Sequence, residues 1–314
     1  MLKLILRRLW LSVTLLFGVS ALTFVLESLT PGNPAATILG TQATPKTIAS
    51  LTKELGFNKP IYVQYWRWLD DALHGNLGKS IFTGEPVSSI LSSRLPVTLS
   101  LIIGTILVST IVGISIGVAS AKMGGRLGRL VDTISLLGLA IPSYWLGSLL
   151  VIAFALRIHA LPATGYVTFG QSPVLWLKSL VMPVFALSVF GIAIVAKQTR
   201  DAMMDTFDRE FIRALRSRGI RSRSIIFKHA LRTALPNVVT LLALIVVSLL
   251  LGTTLIESVF ALPGLGSEAV TATNLHDVPV IEGVAMYFTA LTVVVFTLTD
   301  LVNAWLNPKI RGAR

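Results

Sequence analysis

The sequence predicts an all-α integral membrane protein of six transmembrane helices, with a helical external insertion after the first span. Three observations predict it: composition, the length of the apolar runs, and the placement of positive charge. Of 314 residues, 53% are hydrophobic and 13% charged, against about 25% charged in an ordinary soluble domain. So little polar material cannot cover a soluble surface. A helix needs roughly 20 apolar residues to cross the hydrocarbon core, and the chain offers six such runs.

These runs are Trp10–Leu29, Val97–Ala121, Thr133–Leu156, Ser179–Ala196, Asn237–Ile256 and Gly283–Leu306. The second to fifth contain no charged residue, while Glu27 and Asp300 lie near the ends of the first and sixth. Pro142 and Pro183 fall inside spans, where membrane helices tolerate proline better than soluble ones do. The first run follows Lys3, Arg7 and Arg8, as a signal peptide would, but it is longer than a signal core. It ends in TPGNPAAT rather than a small-x-small site, which favours a retained anchor. The corresponding organisation is residues 1–29 for the N-terminus and first span, 30–96 for the insertion, 97–306 for a five-span core and 307–314 for a tail.

Lys and Arg distribute unevenly between the two sides. Segments 1–8, 122–131, 197–235 and 307–314 hold nineteen, and segments 30–96, 157–178 and 257–282 hold eight. Positive residues accumulate in cytoplasmic loops, so both termini and 197–235 are expected in the cytoplasm. The net charge of +12 is then mainly a topology signal, and no nucleic acid is expected as partner. Cysteine is absent and the four histidines are scattered, which excludes disulfides and thiolate metal sites and predicts no metal centre.

Topology does not explain the pattern within the basic loop. Asp208–Pro236 carries eight basic and two acidic residues. Asp205 or Thr206 can cap a helix with Asp208 and Glu210 in its first turn, Arg216 and Arg218 in its last, and Gly219 closing it. Phe207, Phe211, Ala214 and Leu215 then share one face. A second helix can start at Ser222 or Ser224, with Phe227, Ala230, Leu231 and Ala234 on one face and Pro236 opening the fifth span. Two readings remain open here: interfacial helices resting on anionic lipid, or a docking element for a cytoplasmic partner.

The order Arg213-Ala214-Leu215-x-x-x-Gly219, then His229-Ala230-Leu231-Arg232, resembles the coupling loop of ABC importer permeases. That motif is commonly written EAA, three residues, Gly, nine residues, Ile-x-Leu-Pro. Ala214 and Gly219 match and Leu231 falls on the leucine. Arg213 stands for Glu, Leu215 for the second Ala, His229 for Ile and Arg232 for Pro. These departures are similar to the dipeptide, oligopeptide and nickel branch. Leu55–Val87 resembles the external segment of that branch's B-type permeases, ESVFALPGLG (Glu257–Gly266) their Pro-Gly-Leu-Gly segment, and NPKIR their C-terminal ending.

The resemblance implies a type I importer fold and an alternating-access permease for di- or oligopeptides, with nickel, glutathione or haem-like cargo as the alternative. It implies a second homologous permease, two ABC ATPase subunits (or one homodimeric), an extracytoplasmic solute-binding protein and a lipid membrane as partners. ATP and Mg would sit on the ATPases, with no cofactor and no catalytic residue in this chain. The implied coupling residues are Phe207, Glu210, Phe211, Arg213, Ala214 and Leu215, then Gly219, His229, Leu231 and Arg232. The implied path or outer gate comprises Glu257, Phe260, Pro263, Gly264, Leu265 and Gly266, with the glycines permitting tight turns.

Other features carry less. GNLGKS (Gly75–Ser80) is no phosphate loop, since Leu73 stands where the first glycine is needed. Tyr62, Tyr65, Trp66 and Trp68 suit either an amphipathic helix at the membrane interface or a platform for the solute-binding protein. Ser109, Gly113, Gly117 and Ala121 repeat every four residues, which predicts close helix packing. Glu27, Glu257, Glu282 and Asp300 lie near span ends, which predicts interfacial solvation. A secondary transporter or channel would need mid-membrane coupling groups or a polar pore stripe. An intramembrane enzyme would need a catalytic pair at depth, and none is found.

Overall fold

The computed structural model describes residues 2–30, 32, 34–123 and 125–306; the NPKIR ending and the 307–314 tail lie outside them. In chain order the α-helices are α1 (Leu2–Leu29), α2 (Pro34–Leu39), α3 (Pro45–Glu54), α4 (Ile61–Leu73), α5 (Val87–Met123), α6 (Gly125–Ala140) and α7 (Ser143–Leu150). Then follow α8 (Pro173–Phe207), α9 (Glu210–Ser217), α10 (Ser222–Ser224), α11 (Leu231–Val259), α12 (Leu265–Leu275) and α13 (Val278–Leu306). π-helical turns at Val151–Arg157 and Ile225–Ala230 extend α7 and join α10 to α11. No strand is present among the described residues, only a single bridge between Lys79 and Pro86.

Five of the six expected spans lie in helices long and apolar enough to cross a membrane. The third is a correction. Thr133–Ala140 and Ser143–Arg157 meet at 86°, so 133–156 is no straight span. Pro142 lacks the N–H that would continue the ladder and pushes Ile141 out of the helical region; it stands instead as the residue before α7, at φ −64° and ψ 129°. Pro183 remains inside α8. Pro236, expected at the opening of the fifth span, lies inside α11, and the helical run begins at Ser222.

The chain forms two compact units. One comprises the residues up to Thr98 with Pro263–Val293. In it α4 lays Tyr65 and Trp68 against Phe24 of α1, all three buried. The Tyr65 hydroxyl lies 2.9 Å from Ser20 Oγ, which satisfies both polar groups in an apolar contact. Tyr62 and Trp66 stay exposed. The aromatic cluster thus divides by helical phase, half of it serving as core.

A second cluster joins Val87, Ile90 and Leu91 of α5 to Leu265 and Ala272 of α12 and Val280 and Val284 of α13. Gly283 permits this approach, since a β-carbon there would lie 2.5 Å from a Val87 methyl. The Asp277 carboxylate, buried before α13, accepts from Ser80 Oγ at 2.5 Å and from the Ile81 amide at 3.2 Å. Ser80 of the GNLGKS segment therefore has a structural task.

The other unit comprises Leu99–Leu262 with the residues from Val294 on. Its centre is α8, packed by α6, α7 and α11. The small residues of α5 face α8, as their four-residue spacing predicts. A β-carbon at Gly113 would lie 2.7 Å from Val195 Cβ, and one at Gly117 would lie 2.6 Å from the Ala196 carbonyl oxygen. Ser109 Oγ donates to the Ser188 carbonyl at 3.4 Å.

Gly117→Val should therefore overpack this seam, at a cost of about 1–3 kcal/mol. A lowered Tm of the detergent-solubilised protein is the expected outcome. An unchanged Tm would show that α5 and α8 do not approach this closely.

Candidate coupling loop and gate segment

The basic loop leaves the membrane-length part of α8 through an anchored end. Val118 and Ala121 of α5 and Ala202 and Met203 of α8 form a buried cluster with Ile226, Ala230 and Ala234; Phe207 and Leu231 pack on its edge. The Thr206 hydroxyl donates to the Ala202 carbonyl at 2.8 Å inside this region. It is therefore not the expected helix cap, and neither is Asp205, which lies inside α8. The chain instead breaks at Asp208, and extended Arg209 (φ −71°, ψ 145°) precedes α9 without a side-chain cap.

This break resets the helical phase. Counting across it places Phe207 and Phe211 on one face, but Phe207 packs against the buried cluster and Phe211 is 40% exposed. Ile212, which sequence reasoning missed, is the buried residue of α9. Ala214 is exposed and Leu215 half-buried. In the second arm Ile225 and Ile226, also missed, are buried, while Phe227 is 55% exposed. The missed signal was the isoleucine residues themselves, whose phase is legible only once the break at 208–209 is known.

Gly219 closes α9 in the left-handed region at φ +70°. The Ile220 amide donates to the Leu215 carbonyl at 3.2 Å and the Gly219 amide to the Arg216 carbonyl at 3.0 Å. This is the paired closure in which a left-handed residue satisfies the last helical carbonyls. The loop thus has a fixed elbow. Glu210 lies in the first turn and Arg216 in the last, both complementing the helix dipole. Arg213 and Arg232 are exposed, as are the loop's other arginines, and His229 is half-buried.

At the other candidate segment, Glu257 and Phe260 are buried near the end of α11. The Gly165 amide donates to the Phe260 carbonyl at 2.9 Å. Interfacial solvation is a correction for two acids, since Glu257 and Glu282 are both 0% exposed. The expected glycine turns are also corrected. Gly264 is extended at φ −99° and Gly266 is buried within α12. The reversal falls at Ala261, with φ +49°. Pro263 is exposed and Leu265 fully buried. The Leu265 amide donates to Thr98 Oγ1 at 2.9 Å, and Arg94 pairs with Glu268 at 2.6 Å. The segment 261–279 is accordingly a packed helix rather than a plain loop. Glu257 and Phe260 belong to one unit and Pro263–Gly266 to the other. Among the described residues no cluster of His, Asp or Glu is arranged to hold a metal ion.

The described residues are mostly helical, with five helices long and apolar enough to cross a membrane and a sixth, bent pair. The chain belongs to the family of binding-protein-dependent transport system inner membrane components, which residues 109–312 match; residues 1–102 match the corresponding N-terminal family. It is thus a multi-pass inner-membrane permease subunit of an ABC importer. A putative peptide transport system permease protein of Brucella abortus (strain 2308) is 38% identical over 312 residues, 99% of each chain. The dipeptide transport system permease protein of Alkalihalophilus pseudofirmus is 34% identical, covering 99% of this chain and 100% of the relative. The metal-staphylopine import system permease protein of Staphylococcus aureus is 34% identical over the full length of both. The inward-facing MetNI methionine ABC transporter shares the fold, with a TM-score of 0.55 at 16% identity over 70% of this chain and 97% of that one.

A β-carbon at Gly219 would meet nothing within 4 Å, so the requirement there is conformational rather than spatial. The left-handed region costs a side-chain-bearing residue about 1–2 kcal/mol, more for a β-branched one and less for Asn. Gly219→Val should speed amide exchange across 215–221, whereas Gly219→Asn should stay near the parent. Equal exchange in the two variants would remove the elbow from the account.

Proposed function

We propose that this chain takes up short peptides as one of two homologous permeases, with both termini and the 197–235 loop in the cytoplasm. The loop docks on ATPase subunits, and a solute-binding protein delivers cargo on the opposite side. ATP and Mg are held by the ATPases, and this chain performs no chemistry of its own. The carrying observation is the two-sided α9. Ile212 locks its inner side to the permease, while Phe211 and Ala214 remain outward and Leu215 half-exposed beside a fixed elbow. Such a helix can fill an apolar groove and transmit its motion without bending. Phe207, Glu210, Arg213, His229, Leu231 and Arg232 support or flank this dock. Glu257, Phe260, Pro263, Gly264, Leu265 and Gly266 are proposed as residues of the path or its outer gate.

Peptide cargo is favoured by the two relatives named for peptide transport, one of them for dipeptides. A chelated metal is the second reading, because a full-length relative is named for metal-staphylopine import.

Phe211→Asp puts a charge into the proposed groove while leaving buried Ile212 intact. ATPase subunits that co-purify with the parent should be lost from this variant, and peptide uptake should fall at least ten-fold with unchanged permease Tm. Retention of both would remove α9 as the dock. Uptake of labelled dipeptide but not of a metal–opine chelate decides the cargo.

A further inference from the structure

The helix α4 carries more apolar surface than its packing against α1 uses. At about 3.6 residues per turn its residues divide into three arcs. Tyr65, Trp68 and Ala72 form the arc packed toward α1. Beside it runs a second apolar arc, in which Tyr62, Trp66 and Leu73 are 64%, 59% and 78% exposed. The rest of the circumference carries Arg67, Asp70, Asp71 and His74, all exposed. The entry to the helix is fixed, because the Gln64 side-chain amide donates to the Lys59 carbonyl at 2.8 Å and to the Phe57 carbonyl at 3.4 Å.

Contacts with α1 give the exposed apolar arc a direction. Trp66, which belongs to that arc, meets Phe17 with ring centroids 6.5 Å apart. Tyr65, its neighbour across the edge of the packed arc, meets Phe17 at 5.9 Å and Phe24 at 5.6 Å. Trp68, at the far edge of the packed arc, meets Phe24 at 6.2 Å. The phase of α4 therefore maps onto depth along α1. The exposed apolar arc lies toward the middle of the span, and the side of Trp68 lies toward the span's C-terminal end. At 1.5 Å per residue Phe24 is about 8 Å and Phe17 about 18 Å inside Leu29, in a hydrocarbon core about 30 Å thick. Phe17 is itself 47% exposed, so Trp66 continues the apolar outer surface of a membrane-spanning helix.

We propose that α4 is embedded in the leaflet at the C-terminal end of α1, with acyl chains covering Tyr62, Trp66 and Leu73. Arg67, Asp70 and Asp71 then lie toward the headgroups and water. A helix with one apolar and one charged face rests in this way, its apolar side sunk about 5–10 Å into the boundary. Tyrosine and tryptophan are the aromatic residues that such a boundary favours. A protein approaching from water meets the charged arc, so the exposed aromatic residues are not its landing surface. This placement depends neither on the cargo nor on which side of the membrane the insertion faces.

The chain contains no cysteine, so single cysteines can carry nitroxide labels without background. Tyr62→Cys, Leu73→Cys, Arg67→Cys and Asp71→Cys alter exposed side chains, and each variant should keep the parent's Tm. The full chain is reconstituted in nanodiscs of phosphatidylethanolamine and phosphatidylglycerol, and its labels are probed with oxygen and with the water-soluble relaxant NiEDDA. Labels at positions 62 and 73 should be open to oxygen and at least five-fold less accessible to NiEDDA than labels at 67 and 71. Equal NiEDDA access at all four positions would overturn the proposal by placing the arc in water. Labels at 62 and 73 closed to both reagents would overturn it by placing a second copy of the chain over the arc. Protection from NiEDDA only after a solute-binding protein is added would overturn it in favour of a protein platform.

Discussion

The close seam between α5 and α8 is the contact on which the seat of the basic loop depends. Gly113 and Gly117 admit Val195 and the Ala196 carbonyl to distances that no side chain would allow. One turn further, the same approach brings Val118 and Ala121 to Ala202 and Met203. Those four residues form the seat that Ile226, Ala230 and Ala234 occupy. Lipid supplies little drive for helix association, because the tails are as apolar as the side chains. Close packing of small residues therefore has to do what the hydrophobic effect does in water.

Rigidity of the loop follows from that seat. Ile212 and Ile226 hold its two arms from within, and the carbonyl closures around Gly219 fix the angle between them. Phe211 and Phe227 then remain exposed although each could have been buried by a small change of phase. A loop built only to set topology would need its arginines and nothing else. Exposed aromatics on a held frame mark an interaction surface, which is what the proposed dock requires.

The membrane fold was legible because span length and charge asymmetry are properties of long segments. Six apolar runs survive errors of several residues at each edge. What escaped depended on single residues in their surroundings. Pro142 and Pro183 look alike in sequence, yet one breaks its helix and the other does not. Pro183 is buried within α8, where neighbouring helices can resatisfy a freed carbonyl. Pro142 follows a β-branched Ile141 with no continuing turn behind it. Thr206 resembles a cap, but its hydroxyl was already engaged by the preceding turn. The phase of α9 was lost at Arg209, a residue type with no boundary signal. Tyr65 and Trp68 could be separated from Tyr62 and Trp66 only by knowing which face of α4 meets Phe24.

The acids of the first unit show the same dependence on context. Near span ends they read as solvated, and two of the unit's buried acids have found structural partners. Glu268 is paired with Arg94, and Asp277 binds a serine hydroxyl and a backbone amide. Those bonds fix α12 and the turn into α13, and they are what a buried carboxylate requires. Glu282 lies a single turn beyond Asp277 and has neither kind of bond. Gly283 beside it lets α13 lie close against Val87 and Leu91, so apolar packing, not polar partners, encloses this acid.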